Sequence, residues 1–304
     1  MITVLRLLLR QGSRKRNDPQ RRSALEIRTY DDVKEFLSLA ESFLIEKEVE
    51  NNLPLGILYS LQGKELPAEK RPVMVSVVRQ GRIVLLFLMT PPHHLIISGS
   101  ADDEVLRSAV RFFKEEKIPI PGVIGEKTLA SRFARFREDL AGEPVRVEMD
   151  QRIYQLDRVL YKGEAPGFLR KATEDDLSFL GEWFVGSSRD MFQKTISKED
   201  AGWIASSAVS RGILYLWEDG RVVSMAARAR PTQHVVVVNE VYTPPEYRNR
   251  GYATAAVAAL SQLLLDEGYD CCSLYTDLAN PTSNRIYQRI GYRPVADSVM
   301  ISFR

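Results

Sequence analysis

The feature that most constrains this chain is a predicted strand that passes into a helix through a turn rich in proline, arginine and glycine. His234–Val241 is a β-branched run that predicts a strand, and Pro244 and Pro245 end it because proline cannot donate to a ladder of hydrogen bonds. Ala253–Leu265 consists almost entirely of helix formers. Between them, Gly251 allows a ligand to approach the backbone closely. A helix start with two arginines and a glycine before it predicts an anion site, most naturally for a phosphate ester.

Two sequence motifs lie in this region and just beyond it. Arg248–Ala253 fits the pattern Arg/Gln-x-x-Gly-x-Gly/Ala, and Asn280–Tyr292 is an Asn followed by a helical stretch that carries a Tyr and ends in Gly-Tyr. In this order and at this spacing they resemble the pyrophosphate loop and the second motif of the GCN5-related N-acetyltransferase (GNAT) superfamily. The resemblance covers residues 167–304 and implies a catalytic GNAT domain there.

The order of elements in the second half agrees with that resemblance. Alternation and turn signals predict β-α-α-β-β-β-α-β-α-β-β, with a capping box at Thr173–Asp176, a hairpin about Asp219-Gly220 and a final pair of strands ending at Arg304. Three consecutive strands exclude a doubly wound dinucleotide-binding sheet. The predicted class is α/β of the mixed-sheet (α+β) kind. The sheet is mostly antiparallel, flanked by helices and, as the resemblance implies, splayed between the fourth and fifth strands.

The predicted elements of the first half of the chain recur in an order like that of the second half: strands, a helix, a break, a helix and a strand. This predicts a tandem arrangement in which residues 25–160 form a degenerate GNAT-like copy; an unrelated α/β cap is the alternative. Pro121–Lys127 has glycines and is placed at the counterpart of the pyrophosphate loop or a nearby turn, but lacks the arginine pattern. Tyr161–Gly167 is the predicted linker. Residues 1–24 are basic and predict a disordered extension or an upstream start codon, with a basic amphipathic lead as the alternative.

Composition limits the partners. With 304 residues, 44% apolar and 27% charged, and a net charge of +2, the chain is typical of a soluble protein of two domains without strong attraction to nucleic acid. The apolar run Leu7–Leu9 is far too short for a membrane span. Adjacent Cys271 and Cys272 predict neither a disulfide nor a metal site and indicate a cytoplasmic setting. We expect a monomer or a homodimer, with no metal.

The resemblance implies how acetyl-CoA would be held as co-substrate. Backbone N–H groups of the loop would cradle the pyrophosphate, with charge from two arginine side chains, and free strand backbone before the loop would bond pantetheine. The second-motif asparagines would reach the pantetheine or phosphate arm, although a plain helix cap explains Asn280 equally well. The implied binding residues are Val241, Tyr242, Thr243, Arg248, Asn249, Arg250, Gly251, Tyr252, Ala253, Thr254, Asn280 and Asn284.

Two side chains are candidates for proton transfer. Tyr287 is predicted to be the general acid that protonates the leaving thiolate, and a core tyrosine is the competing interpretation. Glu240 interrupts a strongly apolar strand, where a carboxylate is costly unless it is paired or used, and is therefore the candidate base. A structural salt bridge would also explain it.

These residues predict an acetyl-CoA-dependent N-acetyltransferase that acts on a primary amine, of a small molecule or a protein, by direct attack in a ternary complex. The alternative is a non-catalytic acetyl-CoA-binding sensor or scaffold, which would need neither Glu240 nor Tyr287. Sequence does not select the acceptor. Arg228 and Arg230 could hold an acceptor carboxylate.

Overall fold

The computed structural model of the protein describes residues 4–5, 25–142, 144–161, 163, 165–192 and 195–303. Contacts divide the described residues into two compact units, the first within Met1–Gln151 and Ala296–Arg304 and the second within Arg152–Val295. The boundaries lie inside the strands Val145–Leu156 and Arg293–Phe303, not in the predicted linker Tyr161–Gly167. The unit limits thus differ from the predicted ranges 25–160 and 167–304. Apart from Val4–Leu5, the predicted extension 1–24 lies outside the described residues.

In the first half of the chain, the described residues form a short strand followed by α-helices and strands in the order expected of the fold. They are β1 Val4–Leu5, β2 Leu25–Tyr30, α1 Val33–Ile45, α2 Asn52–Leu61, β3 Val73–Arg79, β4 Arg82–Met89, β5 Leu95–Gly99, α3 Asp103–Glu115, β6 Gly122–Glu126, α4 Lys127–Ala141 and β7 Val145–Leu156.

The second half repeats the same order, β-α-α-β-β-β-α-β-α-β. Its elements are β8 Phe168–Lys171, α5 Leu177–Phe192, α6 Lys198–Ser210, β9 Leu214–Glu218, β10 Val222–Ala229, β11 Val235–Tyr242, α7 Tyr252–Asp266, β12 Cys271–Asp277, α8 Pro281–Ile290 and β13 Arg293–Phe303. The expected final pair of strands is wrong, because one strand continues from Arg293 to Phe303 without a turn. The capping box is confirmed: the Thr173 side chain and the Asp176 carboxylate cap each other's backbone.

The sheet in each unit is mixed and mostly antiparallel, as predicted. In the first unit β1 to β5 are antiparallel neighbours, β5 and β6 pair in parallel from Leu95↔Val123 to Ile97↔Gly125, and β6 pairs antiparallel with the end of β13. In the second unit β8 to β11 are antiparallel, and β11 pairs in parallel with β12. Pairing of the C-terminal residues of β13 with β6 places them in the first unit.

Apolar side chains fill both faces of each sheet. In the first unit, one cluster packs Phe87 against α3 and α4 through Phe113 and Phe133, and another packs Met74 against α1 and α2. In the second unit, Val236 and Val238 belong to a cluster with α7 and α8, whereas Met225 and Tyr242 belong to one with α5 and α6. Each unit therefore has helices on both faces of a sheet, the arrangement that amphipathic elements of this order require. No helix formed by the described residues has the length and apolar character to span a membrane.

Candidate active site

A bulge interrupts β11 two residues before its end. Met225 of β10 pairs with Tyr242 and Ala227 pairs with Asn239, so that Glu240 and Val241 stand opposite the single residue Ala226. Glu240 has a φ of 48°, which is rare for a residue with a side chain and fits a position forced out of the regular strand. The bulge bends β11 at the residue that sequence reasoning selected as the base.

The bulge coincides with a separation of β11 from β12. The parallel pairing runs from Val235↔Cys271 to Val237↔Ser273 and then stops, although the strands continue to Tyr242 and Asp277. The predicted splay between the fourth and fifth strands is therefore confirmed in the second unit. In the first unit β5 and β6 are only five residues long and pair over three of them, because α4 begins directly after β6. Of these two parallel pairs in the described residues, the one formed by β11 and β12 leaves long unpaired strand ends, to which an extended ligand can add by β-augmentation.

The end of β11 is fixed on the side of β10. The Ser224 hydroxyl donates to the Tyr242 carbonyl at 3.1 Å and hydrogen-bonds the Thr243 hydroxyl at 2.8 Å, and both contacts are buried or partly buried. Because these bonds lie on the β10 side of β11, the backbone groups of Val241, Tyr242 and Thr243 can be offered to a ligand on the β12 side. Ser224 has no motif of its own, so sequence reasoning missed it.

The loop before α7 has the backbone of an anion cradle. Asn249 and Gly251 both have positive φ values, 63° and 81°, and Gly251 is the N-cap residue of α7. Among the described residues, no side chain caps this helix start. Turns with residues in the left-handed conformation direct successive N–H groups into a concave nest, and the start of a long helix adds its partial positive charge. Tyr252, Ala253 and Thr254 form the first turn of α7, so they offer backbone N–H groups at this end.

The two arginines of the loop differ. Arg248 Nε donates to the Thr243 carbonyl at 2.9 Å, one of its terminal nitrogens donates to Asp190 at 2.5 Å, and its guanidinium lies 5.8 Å from the centre of the Tyr242 ring. Arg248 therefore braces the loop against β11 and α5. Arg250 is exposed and is the arginine whose side chain is better placed to meet a phosphate. Sequence reasoning did not distinguish them, because Asp190 lies in a separate helix.

The side chain of Tyr252 has a structural role. It is 7% exposed, and its hydroxyl donates to Asp219 of the β9–β10 hairpin at 2.7 Å. This hydrogen bond to a carboxylate is the main cause that raises the pKa of Tyr252. Because the side chain is committed to the hairpin, only the backbone of Tyr252 is left for the predicted binding role.

The second motif mainly organises the turn between β12 and α8. Asn280 caps α8 by accepting from the Ser283 N–H at 3.1 Å, as the helix-cap interpretation expects. The Asn284 amide donates to the carbonyls of Asp277 at 2.9 Å and Asn280 at 2.7 Å, and its oxygen accepts from the Tyr154 hydroxyl at 2.9 Å. Both asparagines are thus bonded within the protein, and contact with the pantetheine or phosphate arm would require these bonds to be exchanged.

Tyr287 lies in a group of tyrosines on α8 and its surroundings. Its ring centre is 6.5 Å from that of Tyr154 and 6.0 Å from that of Tyr292, and the residue is 9% exposed. Its hydroxyl makes no hydrogen bond to any residue that the structure describes. Burial raises the pKa of Tyr287 to about 12, so the hydroxyl stays protonated at neutral pH, as a general acid requires.

Glu240 is held in an apolar setting with one nearby cation. Burial raises the pKa of its carboxyl above the ordinary value of 4.5, and the charge of Arg230 partly opposes this shift. Among the described residues we find no hydrogen bond or ion pair to this carboxylate, so the alternative of a structural salt bridge lacks a direct partner. A carboxylate with a raised pKa at a bulged strand is suited to accept a proton.

Comparison with known proteins agrees with this geometry. Residues 177–292 match the model of the acetyltransferase (GNAT) family. The second unit is a GNAT domain. The match includes the β11 bulge, the loop before α7, and both motifs of the GNAT domain. The match is to a family of acetyltransferases that act on amines and generally use acetyl-CoA.

Solved structures of similar fold cover about nine tenths of the chain. A GCN5-related N-acetyltransferase from Sphaerobacter thermophilus is 15% identical with a TM-score of 0.58, covering 92% of this chain and 95% of that one. A GNAT-family acetyltransferase from Colwellia psychrerythraea is 11% identical with a TM-score of 0.54, covering 91% and 98%. A tandem GNAT protein from the clavulanic acid biosynthesis pathway is 11% identical with a TM-score of 0.54, covering 92% and 98%. No curated protein sequence matches the chain. At these identities the likeness concerns the fold alone.

Proposed function

We propose that the GNAT domain is an acetyl-CoA-dependent N-acetyltransferase that transfers the acetyl group to a primary amine by direct attack in a ternary complex. The observation that carries the proposal is the position of the uncapped α7 start directly after the bulged, unpaired end of β11. The start of α7 suits a pyrophosphate, and the unpaired end of β11 suits an extended, amide-containing arm. Together they fit the thioester donor that the family generally uses.

The donor would be bound mainly by backbone groups. The N–H groups from Asn249 to Thr254 would meet the pyrophosphate, with Arg250 adding charge, and the strand backbone of Val241 to Thr243 would bond the pantetheine arm. An N–H of Val241 or Tyr242 would polarise the acetyl carbonyl as it becomes an oxyanion. This assignment places the reactive carbon beside the Glu240 bulge.

Acetyl transfer then requires two proton movements. Glu240, directly or through one water, accepts a proton from the acceptor ammonium, and the resulting amine nitrogen attacks the thioester carbonyl to form the new C–N bond. The C–S bond breaks as the tetrahedral intermediate collapses. Tyr287 donates its proton to the departing sulfur, which leaves as the thiol. The nitrogen releases its second proton to water as the amide forms. Exchange with solvent then reprotonates the Tyr287 phenolate and deprotonates Glu240, so each turnover releases one proton and the charges balance.

The proposal is tested by mixing the purified protein with acetyl-CoA and a panel of amines and measuring release of the free CoA thiol. An enzyme gives amine-dependent thiol release above the rate of spontaneous hydrolysis. Binding of acetyl-CoA by calorimetry, without thiol release for small amines or for lysine-containing peptides, would instead establish the non-catalytic binding module.

The first unit differs from the GNAT domain at the matching helix start. In the repeat, α3 corresponds to α7, so the counterpart of the pyrophosphate loop is the short turn between Gly99 and Asp103. Pro121–Lys127, which sequence reasoning placed at that position or a nearby turn, instead forms β6 and the beginning of α4. The short strand was missed because its two glycines resemble a loop signal.

Carboxylates already occupy the start of α3. Asp102 caps it by accepting from the Val105 N–H at 3.0 Å and also accepts from Arg79 at 2.5 Å, while Asp103 accepts from Arg132. An added Cβ at Gly99 would stand 2.2 Å from the Val84 carbonyl oxygen, so the turn is packed directly on β4. A helix start with its own acids repels a phosphate. This supports the degenerate state that we propose for the first copy.

The contrast between the two helix starts predicts the binding stoichiometry. We expect calorimetric titration to give one acetyl-CoA per chain, because of these two corresponding helix starts α3 is capped by Asp102 and α7 has no side-chain cap. The measurement is the molar ratio at the midpoint of the titration. Two equivalents per chain would contradict the degenerate assignment of the first unit.

Glu240→Gln tests the base. We expect kcat/KM for the amine to fall by about 10²-fold or more, the usual contribution of general base catalysis. Because the base works when ionised, kcat/KM of the wild type should rise with pH through the Glu240 pKa, which burial places above the ordinary carboxyl value. That acidic limb should disappear in Glu240→Gln. Glu246→Gln is the matched control, since Glu246 is an exposed acid of the turn after β11. An unchanged acidic limb in Glu240→Gln would exclude the base role.

A further inference from the structure

Arg230 follows the last residue of β10 and has an unusual backbone. Its φ is 44°, in the left-handed region that residues with a side chain seldom adopt, and its guanidinium carbon lies 5.7 Å from the centre of the Tyr275 ring. Tyr275 belongs to β12, two residues beyond Ser273, where pairing with β11 ends. Strained backbone conformations cluster at functional sites, so the positive φ of Arg230 points to a functional role for this residue. The contact with Tyr275 places the Arg230 guanidinium at the splayed part of the sheet.

The base candidate lies at the same splayed part. Glu240 is three residues beyond Val237, the last residue of β11 that pairs with β12, and it too has a positive φ. The charge of each residue favours the ionised form of the other, and burial opposes it: the pKa of Arg230 is lowered and that of Glu240 is raised, in both cases mainly by desolvation. A cation and an anion therefore lie at the same splayed part of the sheet, Arg230 against Tyr275 of β12 and Glu240 at the bulge of β11.

Arg228, two residues earlier on the same strand, has a different role. Its guanidinium donates to Glu267 at 2.9 Å, at the end of α7. The sequence offered Arg228 and Arg230 as equal candidates for an acceptor carboxylate, and the structure separates them. Only Arg230 lies with Glu240.

We propose that the acceptor is a zwitterionic amino acid, whose carboxylate is bound by Arg230 and whose ammonium is held by Glu240. The inference rests on the N-acetyltransferase function proposed above and specifies the acceptor class of the same site. An amino acid places its two charges a few bonds apart, so it can lie along the line from Arg230 to Glu240 with each charge facing its opposite.

Charge balance favours this acceptor over a simple amine. Arg230 and ionised Glu240 together are neutral, and a zwitterion keeps the site neutral. A monoamine brings an uncompensated positive charge next to the partly desolvated Arg230, which like-charge repulsion disfavours. Asn239, the neighbour of Glu240, adds a polar contact. Its side-chain oxygen is buried and has no hydrogen-bond partner among the described residues, so it can accept from an ammonium.

The experiment compares amino acids with their carboxamides as acceptors. The wild-type protein is assayed for acetyl-CoA-dependent thiol release with glycine, alanine, leucine, phenylalanine and glutamate, and with the corresponding α-carboxamides. The amide keeps the ammonium and the side chain but removes the carboxylate charge. We expect kcat/KM to be about 100-fold higher for the free acid in the best pair, because a guanidinium–carboxylate contact is charge-assisted and bidentate.

Arg230→Gln should remove this preference while leaving acetyl-CoA affinity unchanged. We expect the acid-to-amide ratio to fall below about tenfold, through loss of activity on the acid and not through gain on the amide alone. Arg230→Lys should give an intermediate ratio, since it keeps the charge but not the fork of donors. Arg228→Gln is the control and should leave the ratio unchanged. Calorimetric binding of acetyl-CoA reports that each variant is folded.

The possible results separate this inference from the function on which it rests. If the amides are acetylated as well as the acids, or if the preference survives in Arg230→Gln, the amino-acid inference is overturned while the acetyltransferase function stands. If neither acids, amides nor carboxylate-free amines release thiol although acetyl-CoA binds, the proposed function fails and the inference falls with it.

Discussion

Gly251→Glu is expected to abolish measurable binding of acetyl-CoA, weakening it by at least about 100-fold. Two effects act together. Gly251 has a φ of 81°, and a residue with a side chain in the left-handed conformation costs about 1–2 kcal/mol. The new carboxylate would also stand at the uncapped start of α7, where it would accept the N–H bonds intended for the pyrophosphate and repel it. A loss of about 2.7 kcal/mol corresponds to 100-fold in affinity.

Gly251→Glu is a suitable test of the loop because there is room for a side chain at this position. An added Cβ at Gly251 would meet Ala165 at 3.6 Å and the Tyr161 hydroxyl at 4.0 Å, which is ordinary contact. The variant should therefore fold, and loss of binding can be assigned to the loop. Calorimetric titration of acetyl-CoA is the measurement, with thermal unfolding to confirm the fold.

Gly212→Glu provides the matched control. Gly212 has a φ of 60° and nothing within 4 Å of an added Cβ, and it follows α6 instead of preceding α7. It introduces the same charge and a similar backbone strain away from the loop, so acetyl-CoA affinity should remain at the wild-type value. Equal binding by Gly251→Glu and the wild type would remove the pyrophosphate loop from the proposal.

Tyr287→Phe is expected to lower kcat by about 10²–10³-fold with little change in acetyl-CoA affinity, because it removes the proton that the leaving thiolate needs. The ring stays, so its contacts with Tyr154 and Tyr292 are retained. The lost hydroxyl has no hydrogen-bond partner among the described residues, and we therefore expect the free energy of unfolding to change little. Single-turnover thiol release, measured beside binding, separates the chemical step from donor affinity.

Tyr292→Phe is the counterpart that separates chemistry from packing. The Tyr292 hydroxyl is buried and hydrogen-bonds the Ser261 hydroxyl at 2.8 Å, and its removal should cost about 1 kcal/mol of unfolding free energy. Turnover by the folded Tyr292→Phe protein should stay at the wild-type level. Tyr287→Phe with wild-type turnover would assign Tyr287 to the core and favour either another acid or the binding-module alternative.

The sequence by itself determined the features that adjacent residues specify. Pro244, Pro245 and Gly251 were sufficient to predict where β11 ends and where α7 begins. The Asp219-Gly220 hairpin and the Thr173–Asp176 capping box are found where turn and cap chemistry placed them. Such features depend on φ preferences and on hydrogen bonds between near neighbours, so a short segment carries all the information.

Sequence patterns failed where length or composition was atypical. α2 was missed because Glu50 and the asparagines after it interrupt the apolar pattern before the helix starts at Asn52. β6 was not predicted because its two glycines resemble a loop signal. For the same reason, the counterpart of the pyrophosphate loop was assigned to the wrong segment. Gly122 and Gly125 are glycines because an added Cβ would stand 1.9 Å from the His94 ring and 2.5 Å from the Ile97 carbonyl, a requirement of strand packing and not of a turn.

Only the tertiary structure decided which side chains of the motifs are available for a ligand. Arg248 is held by Asp190, 58 residues away in the chain, and Asn284 is held by Tyr154, 130 residues away. The position of Arg230 and Glu240 at the same splayed part of the sheet likewise depends on a strand bulge and on the ring of Tyr275 in a third strand. A motif specifies backbone geometry through local preferences, whereas the partner that a long polar side chain binds is set by how distant segments pack.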